Sequence, residues 1–208
     1  MKVIGVTGGV GAGKSMVLEI LKETYKARIL SADEIGRELM EPGSACFEPV
    51  VDLFGTDVIG MDGRLDRGKI AGIVFRNEEA LGQLNALIHP AVRREIEARL
   101  YRWKEEEALG GNIQKRLVVM ESAILLEAGY EEICEEVWYV YASKELRMKR
   151  LEESRGYSKE RCLKVMENQM EETELRKRAT VVIENDGSRE WTKEQIKRLL
   201  VHRKAGDK

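Results

Sequence analysis

Cysteine and proline are both scarce in this 208-residue sequence, which contains three of each. The cysteines, Cys46, Cys134 and Cys162, are far apart and form no CxxC pair. An odd and scattered set of this kind favours neither a disulfide framework nor a structural zinc site. We therefore expect a protein of a reducing compartment, the cytoplasm.

Long apolar runs and an excess of one charge are also lacking. No stretch approaches the roughly 18 apolar residues of a membrane span, and the N-terminal apolar run is too short for a signal peptide. The 35 Lys and Arg residues nearly balance the 37 Asp and Glu residues, for a formal net charge of -2. This balance predicts neither nucleic acid nor membrane as a partner, so any anion site must be local.

Short β-branched runs alternate with helical patterns along the chain, which predicts an α/β fold. The five predicted strands are residues 3–6, 28–30, 117–120, 137–141 and 181–183. Such alternation is typical of a parallel sheet covered by helices on both faces, a three-layer α/β/α architecture. Residues 33–111 contain no convincing strand and read as a mainly helical insertion. We expect a single domain over residues 1–208.

Side-chain acceptors that precede carboxylates predict three helix starts, at Asn77, Ser143 and Ser158. A further helix could begin near His89, with Pro90 in its first turn, where the missing N–H of proline costs nothing. In that case His89 has a structural role. The alternative is that its imidazole lies near a substrate.

A glycine-rich loop directly follows the first predicted strand, and a helical pattern begins immediately behind it. The loop fits GxxxxGK[ST], in which backbone N–H groups cradle phosphate oxygens at a helix N-terminus. Lys14 would reach the β and γ phosphates, and the Ser15 hydroxyl would contact magnesium. The alternative, an ordinary glycine-rich turn, rarely has the correct strand and helix around it. We therefore predict ATP binding by Gly8, Gly9, Val10, Gly11, Ala12, Gly13, Lys14, Ser15 and Met16.

Asp33 follows the second predicted strand in the segment Ser31-Ala32-Asp33-Glu34. In open α/β sheets, ligands bind at the carboxyl ends of the strands, which predicts Asp33 in the same cleft as the phosphate loop. Its carboxylate could take the proton of an acceptor hydroxyl as a general base. The alternative is that Asp33 only caps the helix that follows.

Taken in order, several segments resemble the dephospho-coenzyme A kinase family over residues 3–187. They are the TGGVGAGKS loop, SADEIGREL, Leu65-Asp66-Arg67, LNALIHP at residues 84–90, Leu125-Leu126-Glu127, residues 147–169 and VIENDG at residues 182–187. The resemblance implies a P-loop NTPase fold and transfer of the ATP γ-phosphoryl group to the ribose 3′-hydroxyl of dephospho-CoA. It also assigns the role of general base to Asp33.

The resemblance implies further site residues. Arginines of a lid at about residues 143–170 would neutralise the phosphates, with Arg150 and Arg155 favoured over Arg147; the alternative is a solvated helix face. Residues 60–110 would form an acceptor-binding insertion, in which Asp66, Arg67 and His89 would contact the substrate. Asn185 would lie near the adenine. The implied partners are ATP and dephospho-CoA, with Mg2+ as the metal, and we expect a monomer or weak homo-oligomer.

The chain departs from the family pattern at three places. Ser31 stands where the family usually has aspartate, and Met16 stands where it has threonine, which should only alter packing. The family's Asp-x-Pro-Leu-Leu-Phe-Glu segment reads Glu121-Ser122-Ala123-Ile124-Leu125-Leu126-Glu127 here. We expect Glu121 to hold magnesium-bound water, although the loss of the proline could shift this loop.

Two other functions compete with this interpretation. One is another P-loop kinase for a small acceptor, such as a nucleoside monophosphate or shikimate, although the glycine-arginine-proline run usual in adenylate kinases is missing. The other is a nucleotide-binding regulatory protein that has lost turnover, which would fit the changes at Ser31, Glu121 and Ala123.

Overall fold

A computed structural model describes residues 1–109 and 117–201, so Gly110, the last residue of the predicted insertion, lies outside the described residues. All five predicted strands are confirmed, with bounds that differ by no more than one residue. They are β1 (Lys2–Thr7), β2 (Arg28–Ser31), β3 (Leu117–Glu121), β4 (Glu136–Tyr141) and β5 (Val181–Glu184).

The strands form one parallel sheet in the order β2-β3-β1-β4-β5. β1 is the central strand: Val3 lies opposite Val118 of β3, and Val6 lies opposite Trp138 of β4. These strands are apolar along nearly their whole length, as expected for strands covered on both faces. The predicted α/β architecture is confirmed.

The described helices mostly follow the strands in alternation. They are α1 (Lys14–Tyr25), α2 (Ala32–Leu39), α3 (Phe47–Phe54), α4 (Arg67–Val74), α5 (Glu78–Leu109), α6 (Lys144–Arg155), α7 (Lys159–Glu167), α8 (Glu172–Arg178) and α9 (Arg189–Val201). Within residues 1–109 and 117–201, none of them carries an apolar stretch that could cross a bilayer.

The chain divides into two compact units. The first comprises Met1–Ile29 and Asn112–Lys208, and the second comprises Leu30–Gly111. The core of the first packs the apolar faces of α1 and α9 against the sheet, and includes Val17, Leu21, Trp138 and Ile196, each at most 1% exposed. That burial fixes the start of α1, and with it the end of the glycine loop.

The second unit is helical, as the sequence predicts for this region. Its core gathers apolar residues of α3, α4 and the turn before α4, with Val50 and Val58 almost fully buried. An isolated antiparallel bridge between Ile59 and Leu65 closes that turn. The expectation of a single domain with an insertion at residues 60–110 stays a prediction.

Pro90 lies inside α5, so the prediction that it occupies a first helical turn is wrong. The helix begins at Glu78, because the Asn77 carboxamide accepts the Ala80 N–H at 3.1 Å, and it continues to Leu109. Proline removes one hydrogen bond to the preceding turn. The burial of Val92, Ile96 and Leu100 on one face of α5 compensates for the lost hydrogen bond.

The other two predicted helix starts are confirmed in position, but only one in mechanism. Ser158 caps α7, with its hydroxyl accepting the Arg161 N–H at 3.3 Å. Ser143 precedes α6 without capping it, because its hydroxyl and its N–H both donate to the Asp186 carboxylate, at 3.0 and 2.8 Å. This pair ties the start of α6 to the segment after β5.

Candidate functional site

The glycine loop connects β1 to α1, which confirms the predicted strand, loop and helix. Gly13 precedes the first residue of α1 with φ 92°, and Gly11 has φ 77°. These left-handed conformations strain any residue with a Cβ, so both positions require glycine. The first turn of α1 contains no carboxylate, which leaves the positive end of the helix dipole uncompensated by its own residues.

Three successive carbonyl groups of the loop accept hydrogen bonds from side chains far along the chain. Arg147 Nε donates to the Val10 carbonyl at 2.9 Å. Arg150 Nη1 donates to the carbonyls of Gly11 and Ala12, at 3.3 and 3.2 Å. The side-chain amide of Asn185 also donates to the Ala12 carbonyl, at 2.7 Å.

These bonds fix the orientation of three peptide groups. Because a trans peptide is planar, its N–H points away from its C=O. The N–H groups of Gly11, Ala12 and Gly13 therefore point to the side of the loop opposite the donors. The Ala12 N–H closes a turn onto the Gly9 carbonyl at 3.1 Å. In loops of this type, the backbone N–H groups before a helix form the cradle that binds an anion.

Lys14 and Ser15 begin α1 beside this cradle. Lys14 Nζ donates to the Gly8 carbonyl at 2.7 Å, so its stem folds back over the loop. Ser15 is exposed, which leaves its hydroxyl accessible to a ligand or metal. Met16 is half-buried and packs against the core of the first unit, as a packing difference would predict.

Asn185 follows β5 and is completely buried. Its backbone N–H donates to the Tyr141 carbonyl at 2.8 Å, and its side-chain oxygen accepts the Thr192 hydroxyl at 2.9 Å. With the Ala12 bond, both ends of its carboxamide are engaged. The structure therefore places the Asn185 side chain against the loop, and its position near an adenine stays a prediction.

The three arginines of α6 occupy different surroundings. Arg147 and Arg150 are half-buried and share a helix face, as residues three apart do. Arg150 Nη2 also donates to the Asn185 carbonyl at 2.9 Å, so this guanidinium joins the loop to the segment after β5. Arg155 is exposed at the end of the helix, 5.9 Å from the centre of the Tyr157 ring.

Arg147 lies directly against Gly9, where an added Cβ would overlap its guanidinium. Its Nη2 donates to Gln169 Oε1 at 2.7 Å, and the same oxygen accepts the Val10 N–H at 3.1 Å. Burial lowers the pKa of Arg147 from its usual value, and the neighbouring Tyr139 and Glu172 oppose that change. Burial, followed by Glu172, raises the pKa of Tyr139 to about 12.

A cavity of about 340 Å³ adjoins this contact. Gly9, Tyr139 and Arg147 form one part of its lining, and residues from α7 to α8, including Gln169 and Glu172, form the rest. The predicted lid segment therefore contacts the loop directly through Arg147 and Gln169.

Glu121 is the last residue of β3 and lies opposite Val6 of β1 in the sheet register. Since the glycine loop starts two residues after Val6, the half-buried Glu121 lies at the loop end of the sheet. Ser122 follows, completely buried, and its hydroxyl accepts the Ile124 N–H at 3.2 Å. Arg178 then donates to the Leu126 carbonyl at 3.0 Å, which holds the segment where the family proline is missing.

Asp33 lies in the first turn of α2 and is exposed. The capping residue is Ser31, whose hydroxyl accepts the Glu34 N–H at 3.4 Å. The alternative that Asp33 caps this helix is therefore wrong: a serine one position before α2 satisfies the N–H group that a cap would serve. The Asp33 carboxylate is left for another task.

The remaining predicted substrate contacts lie in the second unit. Asp66 caps α4, since its carboxylate accepts the N–H groups of Gly68 and Lys69 at 2.9 and 3.1 Å. Arg67 is exposed and pairs with Glu41 at 3.4 Å. His89 is half-buried in α5, and burial lowers its pKa.

Sequence reasoning placed Arg147 below Arg150 and Arg155 and did not consider Gln169. Helix geometry contained the missing signal for Arg147: residues 147 and 150 share a face, whereas residue 155 is rotated by roughly 140° from residue 150. For Gln169 no local pattern was available, since it lies between α7 and α8 and acts on a loop near the N-terminus.

Comparisons with known proteins agree over nearly the whole chain. A family model described as dephospho-CoA kinase matches residues 2–190. The dephospho-CoA kinase of Carboxydothermus hydrogenoformans is 39% identical over 200 residues, which cover 96% of this chain and 93% of that protein. The one from Corynebacterium diphtheriae is 38% identical over 190 residues, 91% of each chain.

Solved structures share the fold. TT1252 from Thermus thermophilus superposes with a TM-score of 0.79 at 34% identity and covers 97% of both chains. Dephospho-CoA kinase from Campylobacter jejuni gives a TM-score of 0.69 at 25% identity, over 96% of this chain and 98% of that one. A shikimate kinase from Acinetobacter baumannii, at 18% identity and a TM-score of 0.56, shares the fold alone.

Proposed function

This chain belongs to the dephospho-CoA kinase family, and we propose that it transfers the γ-phosphoryl group of ATP to the ribose 3′-hydroxyl of dephospho-CoA, giving CoA and ADP. That reaction is the last step of coenzyme A biosynthesis. The observation that carries the proposal is the glycine loop, whose three successive carbonyl groups are held by Arg147, Arg150 and Asn185. Phosphoryl transfer depends mainly on positioning and on neutralising charge, and a rigid array of N–H groups serves both.

Lys14 and the arginines of α6 supply positive charge in this proposal. Lys14 exchanges its bond to the Gly8 carbonyl for oxygens of the β and γ phosphates. Arg150 acts from behind the loop, where it also holds the carbonyls of Gly11 and Ala12. Arg155, exposed at the end of α6, contributes when the segment at residues 143–170 closes over the phosphates.

Asp33 is the proposed general base. Its carboxylate accepts the proton of the 3′-hydroxyl as the oxygen attacks the γ-phosphorus, and the bond to the β-phosphate oxygen breaks. Two observations support this role: Asp33 is exposed, and Ser31 does the capping of α2. It also follows the carboxyl end of a parallel strand, where ligands of open α/β sheets bind.

The residues at the loop end of the sheet fit a magnesium ion. The Ser15 hydroxyl would coordinate it directly, and Glu121 would hold it through bound water. Magnesium prefers hard oxygen donors, keeps several waters and takes few protein ligands beside the phosphates. When bound, the metal neutralises charge on the β and γ phosphates.

The acceptor-binding roles belong to the helical second unit. Arg67, exposed beside Glu41, would meet the phosphates or the adenosine end of dephospho-CoA. His89, whose pKa is lowered by burial, would act as a hydrogen-bonding contact. Asp66 would contribute to acceptor binding indirectly, by capping the start of α4. The proposed partners are two small molecules, ATP and dephospho-CoA, in the cytoplasm. The proposed protein is a monomer or a weak homo-oligomer.

An acceptor panel tests the proposal. The purified protein is incubated with ATP, magnesium and one acceptor at a time: dephospho-CoA, adenosine monophosphate or shikimate. We expect ADP release and phosphorylation only with dephospho-CoA, with the product identified as CoA by its 3′-phosphate. Preference for another acceptor would identify a different small-molecule kinase. ATP binding with no turnover on any acceptor would identify a regulatory protein.

A further inference from the structure

One side-chain oxygen, Gln169 Oε1, accepts two hydrogen bonds that meet at the phosphate loop. The Val10 N–H donates to it at 3.1 Å, and Arg147 Nη2 donates at 2.7 Å. Arg147 Nε donates in turn to the Val10 carbonyl at 2.9 Å. Val10 therefore has both of its backbone polar groups bound by one closed network of two side chains.

Gln169 orients the Gly9–Val10 peptide group. This group directly precedes the three peptide groups whose carbonyls accept from Arg147, Arg150 and Asn185. With the Val10 N–H directed to Gln169, the Gly9 carbonyl must point the other way, because the peptide is planar and trans. There it accepts the Ala12 N–H at 3.1 Å and closes the turn of the loop. Gln169 thus acts on an N–H group, whereas Arg147, Arg150 and Asn185 act on carbonyls.

The backbone of Gln169 is held in place as well. Its own N–H donates to the Met166 carbonyl at 3.2 Å, in the turn that ends α7. The side chain is half-buried, in the lining of the cavity beside Gly9. A glycine-rich loop has many accessible conformations, so an acceptor held in place from outside lowers the entropy that nucleotide binding must otherwise remove.

We propose that Gln169 is a positioning residue for the nucleotide: it sets the Gly9–Val10 peptide and the Arg147 guanidinium together, so that the loop is preorganised for triphosphate. The inference deepens the proposed function, on which it rests only for the identity of the nucleotide. A residue that only stabilised the fold would make the same contacts. The test must therefore separate an effect on ATP affinity from an effect on stability.

Four single variants make that separation. Gln169→Met keeps the length of the side chain and removes the acceptor, whereas Gln169→Glu keeps an acceptor for both donors. Arg147→Met removes the other half of the network. Thr180→Val is the matched control: the Thr180 hydroxyl accepts the Val137 N–H at 2.9 Å at the start of β4, away from the loop.

Dissociation constants for ATP are measured by calorimetry without acceptor, and melting temperatures are measured without nucleotide. We expect Gln169→Met to weaken ATP binding about tenfold, which is ~1.4 kcal/mol, and Gln169→Glu to stay within about threefold of the wild type. Thr180→Val should lower the melting temperature and leave ATP affinity unchanged. The Arg147→Met, Gln169→Met double variant should be no weaker than the worse single variant, because the two residues act as one network.

The inference is overturned if Gln169→Met binds ATP as the wild type does, or if Thr180→Val weakens ATP binding equally. It is also overturned if the two losses at Arg147 and Gln169 simply add. Failure of the proposed function would show elsewhere, as absence of dephospho-CoA phosphorylation by the wild-type protein while the affinity differences among variants persist.

Discussion

The side-chain amide of Asn185 donates a 2.7 Å hydrogen bond to the backbone carbonyl of Ala12, in a site from which solvent is excluded. Asn185 thereby connects the end of β5 to the phosphate loop, and its own oxygen is held by Thr192. This contact makes Asn185 a support of the loop, which leads to a prediction that differs from one based on contact with adenine.

Asn185→Ala should destabilise the fold and weaken ATP binding, because the Ala12 carbonyl then keeps only its bond to Arg150 and the Thr192 hydroxyl keeps only its bond to the Ser188 carbonyl. The two lost hydrogen bonds contribute about 1–3 kcal/mol together, which corresponds to a melting temperature lower by roughly 3–10 °C in a protein of this size. Calorimetry measures both effects. The preference for ATP over GTP should not change, since both ends of the Asn185 carboxamide are bonded within the protein.

Thr192→Val is the control for that experiment. It leaves the Asn185 bond to Ala12 in place and removes only the hydroxyl that supports the other end of the carboxamide. We expect a similar loss of stability with a much smaller effect on the KM for ATP. A changed base preference in Asn185→Ala would contradict the supporting role.

Asp33→Asn should lower kcat by at least a hundredfold and change the KM for ATP little, because a general base acts in the transition state. Stability should be nearly unchanged, since Ser31 supplies the cap of α2. Glu34→Gln is the matched control: a neighbouring exposed carboxylate in the same helical turn. Steady-state kinetics with dephospho-CoA and a thermal melt decide the matter; equal losses in the two variants would refute the assignment.

Substitutions of the two predicted lid arginines, Arg150 and Arg155, should differ in their effect on nucleotide affinity. Arg150→Met removes bonds to three carbonyls and should weaken ATP binding about tenfold or more, even without acceptor. Arg155→Met should leave ATP affinity unchanged and act on kcat. Lys149→Met, which removes an exposed cation of the same helix, is the control. Weaker ATP binding in Arg155→Met than in Arg150→Met would reverse the two roles.

His89 should make the stability of the protein depend on pH. Its pKa is lowered in the folded state by burial, so below about pH 6.5 the unfolded chain binds a proton that the folded protein does not. The unfolding free energy should therefore fall as the pH drops from 7 towards 5. Above pH 7 this contribution disappears.

His89→Gln should flatten that dependence, as measured by urea unfolding at several pH values. Comparison of the variant with the wild type cancels the other titrating groups, which both proteins share. An identical pH profile in the two proteins would show that His89 does not titrate differently on unfolding.

Local patterns predicted most of the fold. The five strands were recognisable because each is a short, mostly apolar run, and the caps at Asn77 and Ser158 follow from side chains that accept nearby N–H groups. The position of Pro90 was predicted wrongly because the sequence shows only that proline removes a helical hydrogen bond. The packing of Val92 and Ile96, which outweighs that loss, depends on the tertiary structure.

The site was predictable where it is contiguous in sequence and not where it is assembled from distant segments. The loop, Lys14 and Ser15 follow from one motif. The roles of Arg147, Gln169 and Asn185 depend on where α6, the turn after α7 and the end of β5 come to lie, and on the directions of single peptide groups. No spacing in the sequence encodes those directions.

The contact between Gly9 and Arg147 also restricts how this loop can evolve. Position 9 is a free position of the GxxxxGK[ST] pattern, yet any Cβ there would overlap the guanidinium. A larger residue at position 9 therefore requires the Arg147 guanidinium to move, which breaks its bonds to the Val10 carbonyl and to Gln169 Oε1. The two positions are therefore epistatic: a substitution of Gly9 costs more while Arg147 holds the loop than after Arg147 has been shortened.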